Sequence, residues 1–129
     1  MDLCVRHFRQ RLNWNAAREA CRRLGGDLIN LKTPESLQWM DANRPSGTDT
    51  WIGLRAPSHS RTFQWTVDKS PVSQDRTLTN WNENEPNDAG GTEDCAHVSY
   101  VHGKWNDHHC DNLRIPFTCQ VKTRFWESQ

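Results

Sequence analysis

Five cysteines, Cys4, Cys21, Cys95, Cys110 and Cys119, are spread over 129 residues together with seven tryptophans. That density points to an oxidising, extracellular setting, where disulfides staple a loop-rich fold whose own core is modest. Five thiols allow two bridges and one leftover, with the pairing open at this stage. No CxxC pair occurs, which counts against a structural zinc site. The length suits one domain with one core and is short for two, so residues 1–129 are read as a single domain. No apolar run approaches the ~18 residues of a membrane span, and the N-terminus carries no apolar leader core. Membrane insertion is therefore not expected, and if the protein is secreted Met1 reads as the front of an excised domain.

The 16 Lys and Arg balance the 16 Asp and Glu, so no global charge argues for nucleic acid or for an acidic membrane surface. Along the chain, however, the charges are segregated. Residues 1–32 hold seven basic side chains against three acidic ones, while between Arg76 and Lys104 there is no Lys or Arg at all. Glu83, Glu85, Asp88, Glu93 and Asp94 all fall in that gap. Like charges crowded in this way repel, and two arrangements relieve them: solvation as a polar surface loop, or a bound cation.

Helical spacing is clearest over residues 13–26. Asn13 is a cap, Trp14, Ala17, Cys21 and Leu24 form one apolar stripe, Glu19 precedes Arg22 and Arg23 by three and four residues, and Gly25 is a stop. A second helix is predicted from Thr33, a cap, and Pro34, which fits the first turn because its missing N–H is harmless there; Leu37 and Met40 supply its buried side. Short strands are predicted at residues 50–54, 63–67, 95–101 and 115–121, with a first strand at 3–8. Within 95–101, Ala96, Val98 and Tyr100 alternate onto one face, and His102-Gly103 turns the chain back into Trp105. Trp51, Trp65 and Trp105 are assigned to the core, Trp81 to packing ahead of the loop, and Lys104 to a solvated turn. Residues 68–94 show little periodicity, a loop length unusual in a compact domain unless it has a role.

The order of these elements, together with the words WIGL, EPN, EDC, KWND and PFTC, resembles a C-type lectin-like domain over residues 4–120. The resemblance implies an α+β fold with two helices, short antiparallel sheets, a long calcium-binding loop and two internal disulfides. It pairs Cys21 with Cys119 and Cys95 with Cys110, which is also sensible energetically. On a chain-entropy estimate the longer closure stabilises by about 4–5 kcal/mol and the shorter by about 3. Cys4 is then left as a free thiol or as a bridge to a second copy, giving a homo-oligomer.

Matched residue by residue, the resemblance makes Glu85, Asn87, Glu93, Asn106 and Asp107 the ligands of a Ca2+ ion, Asp107 through its backbone carbonyl as well. Calcium is a hard ion that takes six to eight oxygen ligands, and the loop offers carboxylates and amides with little that is softer. The family's Glu-Pro bond is typically cis, which would turn Glu85 and Asn87 toward one ion; X–Pro bonds are the ones for which cis is inexpensive. Two adjacent sugar hydroxyls then complete the calcium shell while the same side chains hydrogen-bond them. The EPN order implies a preference for equatorial 3- and 4-hydroxyls, as in mannose, glucose and N-acetylglucosamine, with fucose accommodated. His108 reads either as a sugar contact or as a solvent-facing histidine. Residues 55–64 contain no carboxylate, so Asp88, Glu93 and Asp94 are what remain for a second, weaker ion.

Two other classes compete with this one. A glycoside hydrolase using two loop carboxylates would need one with a raised pKa, whereas carboxylates committed to calcium stay charged. Six histidines suggest zinc catalysis, but neither HExxH nor HxxEH occurs. A domain that kept the fold and binds protein or ice is the third class, and retention of all five ligand types argues against it. The reading is therefore an extracellular, non-enzymatic binder of mannose-type glycans.

Overall fold

The computed structural model describes residues 3–57, 62–83, 85, 86 and 94–122. Strand β1 (Leu3–Leu12) leads into helix α1 (Trp14–Arg23). Asn13 caps the helix, its side chain accepting from the Ala16 amide at 2.9 Å. Trp14, Ala17 and Cys21 are buried as the spacing predicts, and Gly25 takes φ +85°, the left-handed conformation that ends helices. After the two-residue strand β2 (Asp27–Leu28), helix α2 (Pro34–Asn43) starts with a reciprocal cap between Thr33 and Ser36, with Pro34 in its first turn. Met40 is buried and Leu37 half-buried against the core.

The remaining strands are β3 (Thr50–Arg55), β4 (Gln64–Trp65), β5 (Cys95–Val98), β6 (Trp105–His108) and β7 (Ile115–Lys122). They join in one sheet of order β1-β7-β3-β5-β6, with β2 on β7 and β4 on β3. The β3–β7 pair is parallel, so the strands make a single mixed sheet rather than separate antiparallel ones. Central position explains the composition of β3: Thr50 through Leu54 are all buried because both faces are covered. Two apolar clusters result. One gathers Trp14, Cys21, Trp51 and Phe117 beneath α1, and the other gathers Ile52, Leu54, Phe63, Trp65 and Trp105 beneath the loop side.

Two predicted strands come out shorter. The expected 63–67 strand reduces to Gln64–Trp65, because residues 66–68 turn, Lys69 takes φ +62°, and the Trp65 amide bonds back to Ser70 at 2.9 Å. Tyr100 does not continue the face of Ala96 and Val98; it lies exposed in the turn after β5. Both disulfides implied by the resemblance are present, Cys21–Cys119 fastening α1 to β7 and Cys95–Cys110 fastening β5 to the segment after β6. Cys4, half-buried on β1, carries no bridge.

Candidate functional site

The site is built on the β5–β6 hairpin at the sheet edge. Its register sets Cys95 opposite His108, Ala96 opposite Asp107, His97 opposite Asn106 and Val98 opposite Trp105. The turn is closed by the Ser99 amide on the Lys104 carbonyl at 2.9 Å and the Gly103 amide on the Ser99 carbonyl at 2.8 Å. Gly103 takes φ +76°, and a Cβ there would lie 1.7 Å from Nη1 of Arg44, so the guanidinium packs where any other residue would have its side chain. Along β6, Trp105 and Asp107 are buried and Asn106 and His108 are half-exposed, the period of two expected of a strand.

The chain enters the acidic loop clamped to this hairpin. The Trp105 amide donates to the Asn80 carbonyl at 2.8 Å, the Asn82 amide donates to the Trp105 carbonyl at 2.9 Å, and the Glu85 amide closes a turn onto the Asn82 carbonyl at 3.0 Å. Behind that clamp stands an aromatic stack. The Trp105 ring meets Trp65 edge to face at 5.6 Å and Trp81 at 5.5 Å, and Trp81 meets Phe63 at 5.0 Å. Trp51, Trp65 and Trp105 are core residues, and Trp81 is half-buried packing, as assigned from sequence.

The clamp delivers Glu85 to β6. Oε2 of Glu85 accepts from the Asp107 amide at 3.0 Å, joining the EPN and WND words across 22 residues of chain. The Glu85–Pro86 bond is cis. Glu85, Asn106 and Asp107 are thus gathered at one end of the hairpin, with His108 following on the same strand. Asn87 and Glu93 lie outside the described residues, as does Asp88. Asp94 precedes β5, its carbonyl accepting from the Ala56 amide at 2.8 Å. The side chains of Glu85, Asn106 and Asp107 offer carboxylate and amide oxygens, which suit a hard cation.

Beside these residues, near His108, lies His97, which the sequence reading does not single out. His97 is buried, with Nδ1 at 3.6 Å from the Asp49 carboxylate, too long for a hydrogen bond, and its ring lies 6.2 Å from that of His108. Burial holds the His97 imidazole below the ordinary histidine range, with the Asp49 charge pulling the other way. Nδ1 of His108 is buried and has no hydrogen-bond partner among the described residues, so this histidine is not simply solvent-facing. The alternation that set Ala96 and Val98 on one face of β5 left His97 on the other, opposite Asn106, and in that sense the signal was present.

Comparison with known proteins identifies the family. The family model for the lectin C-type domain matches residues 10–121. The chain is 37% identical over 131 residues to a C-type lectin of Cerberus rynchops, covering 93% of this chain and 77% of that one. It is 36% identical over 121 residues to the lactose-binding lectin l-2 of Anguilla japonica, covering 92% and 72%. Among solved structures it superposes with a TM-score of 0.80, at 31% identity, on the cow C-type carbohydrate-recognition domain of CD23 determined in the presence of a GlcNAc2Man3 oligosaccharide, covering 95% of this chain and 89% of that one. The chain belongs to the C-type lectin domain family, a family of carbohydrate-recognition domains rather than enzymes.

Proposed function

We propose that the protein is a single extracellular domain that binds glycans bearing equatorial 3- and 4-hydroxyls, such as mannose, by completing the coordination of a Ca2+ ion. Glu85, Asn87, Glu93, Asn106 and Asp107 would hold the ion. Three carboxylates against one divalent cation leave a local charge near −1, so without the ion they repel one another. When bound, calcium supplies open coordination positions for two vicinal hydroxyls. The protein's part is to orient those hydroxyls: carboxylate oxygens accept from them and amide Nδ2 atoms donate to them. No bond is made or broken.

The observation that supports this reading is the 3.0 Å bond from the Asp107 amide to Glu85, which sets Glu85 of the EPN word beside Asp107 of the WND word. The CD23 domain was determined with a mannose-containing oligosaccharide, which supports a sugar of that type here. The eel relative carries the name lactose-binding, so family membership alone leaves the choice of sugar to the EPN order. A single shallow site of this kind binds weakly, and several domains presented together would supply avidity, with Cys4 as one means of linking copies.

Retention on mannose-agarose tests the reading. The protein should be held in millimolar calcium and released by EDTA, and retention indifferent to the chelator would refute the metal's role.

A further inference from the structure

The surplus of positive charge in residues 1–32 plays no part in the site described above. Some of it converges on a cleft of about 290 Å3 between β1 and the segment that follows α2. In the sheet order β1-β7-β3-β5-β6, strand β1 stands four strand spacings of about 4.8 Å from β6, roughly 19 Å in all. The cleft is therefore separate from the proposed calcium ligands.

Strand β1 is irregular at this point because of its partner. Residues 9–11 stand between Phe8 and Leu12, where β7 has only Pro116 between Ile115 and Phe117. Proline has no N–H to give the ladder, so regular pairing breaks and the strand bulges. Arg9 and Arg11, two residues apart, both reach the cleft. Both are exposed, and neither is in an ion pair among the described residues. Ser46 and Thr48 bring hydroxyls to the same cleft, and no carboxylate lines it among the described residues. Asp49, next along the chain, is engaged elsewhere: Oδ1 accepts from the Tyr100 amide at 3.0 Å, and Oδ2 lies 3.6 Å from His97. His7 borders the cleft too, but its ring nitrogens are taken by the Asn43 carbonyl and the Thr118 hydroxyl, so it has no donor to offer a ligand. Phe8, stacked on Phe117 at 5.2 Å, joins Pro45 and Pro116 as an apolar wall.

We propose that this cleft binds a sulfated sugar unit of an acidic polysaccharide, without calcium. Two guanidinia can meet the terminal oxygens of a sulfate ester through charge-assisted bonds, and the hydroxyls of Ser46 and Thr48 can donate to the lone pairs that remain. The apolar wall suits the C–H face of the ring. The two disulfides fit an oxidising compartment, where sulfate is the usual ester on polysaccharides. A lipid surface is less suited, because none of the large exposed apolar side chains lies at the cleft.

The test is calorimetric titration of a heparin hexasaccharide in EDTA at physiological ionic strength, where charges more than about 8 Å apart are largely screened. The hexasaccharide should bind, and its desulfated form, which keeps the carboxylates, should bind at least about tenfold more weakly. Arg9→Gln together with Arg11→Gln should weaken binding by about tenfold or more, while the urea midpoint stays at the wild-type value. Arg22→Gln with Arg23→Gln removes the same charge from α1 and should change the affinity by less than about twofold. No binding by the wild type, binding that survives the β1 double variant, or an equal loss in the α1 variant would overturn the site. Binding that requires calcium would assign the polysaccharide to the other site and overturn this one. Wild-type binding confined to vesicles carrying a phosphoinositide, or to a sulfated peptide, would overturn the sugar assignment.

Discussion

At the level of single residues, the account depends on where oxygens and backbone angles fall. Exchanging Glu85→Gln together with Asn87→Asp swaps acceptor and donor around the ion, and mannose affinity should drop by at least about tenfold while galactose is admitted; an unchanged preference on a glycan array would show that EPN does not set the choice. Gly103 makes a second case, being held at φ +76° against the Arg44 guanidinium. Gly103→Ala should cost roughly 1–2 kcal/mol in urea unfolding from the backbone conformation alone, and more if Arg44 cannot move aside. His7 makes a third. Its Nε2 donates to the Asn43 carbonyl at 2.6 Å and its Nδ1 accepts from the Thr118 hydroxyl at 2.7 Å, and burial lowers its pKa while the Asn43 bond opposes that. The unfolded chain then binds the proton more tightly than the native one. Its contribution is complete well above the ordinary value of about 6.5 and is lost progressively as pH falls below it. His97 acts in the same sense. Replacing His7→Gln should therefore reduce the loss of unfolding free energy between pH 7.5 and 5.5, and an undiminished loss would remove His7 from the explanation.

Among the elements, both helix starts and the end of α1 were legible to within a residue or two, the end of α2 and the strands less so. Helix α1 declares itself through Asn13, the Trp14-Ala17-Cys21 spacing and Gly25, and α2 through Thr33 and Pro34, because caps and stops are local chemistry that a short stretch contains in full. Strand ends depend on partners far away in sequence. The 63–67 segment has the composition of a strand, yet β3 pairs with only two of its residues before the chain turns back through Ser70. Tyr100 has strand propensity, but the β5–β6 register closes at Val98 and Trp105 and leaves it in the turn. The element that carries the proposed site is this hairpin, and Cys95–Cys110 bounds it with a sequence separation of 15. Replacing both cysteines by alanine should lower the unfolding free energy by about 3 kcal/mol. It should also weaken calcium binding, since Asn106 and Asp107 lie between the bridged positions; retention of full calcium affinity would mean that hydrogen bonds alone hold the hairpin in place.

For the whole molecule, the family was legible as a set of words and their order, while the contacts that join those words were not. Nothing local says that Glu85 reaches the Asp107 amide or that residues 80–82 pair onto Trp105, since each contact joins segments that only the fold brings together. In the proposed reading the carboxylates of the acidic loop repel without the ion, and a ligand that binds only the folded state stabilises that state by mass action. Thermal unfolding in calcium at a hundred times its dissociation constant should thus report roughly 2.7 kcal/mol more stability than in EDTA. The most direct measurement is calorimetric titration of calcium into metal-free protein, followed by methyl α-mannoside into the same cell. Uptake of calcium at or below millimolar levels, with mannoside heat that appears after it and is absent without it, is the result expected. Mannoside binding of equal strength before and after calcium, or no calcium uptake at millimolar concentration, would contradict the account.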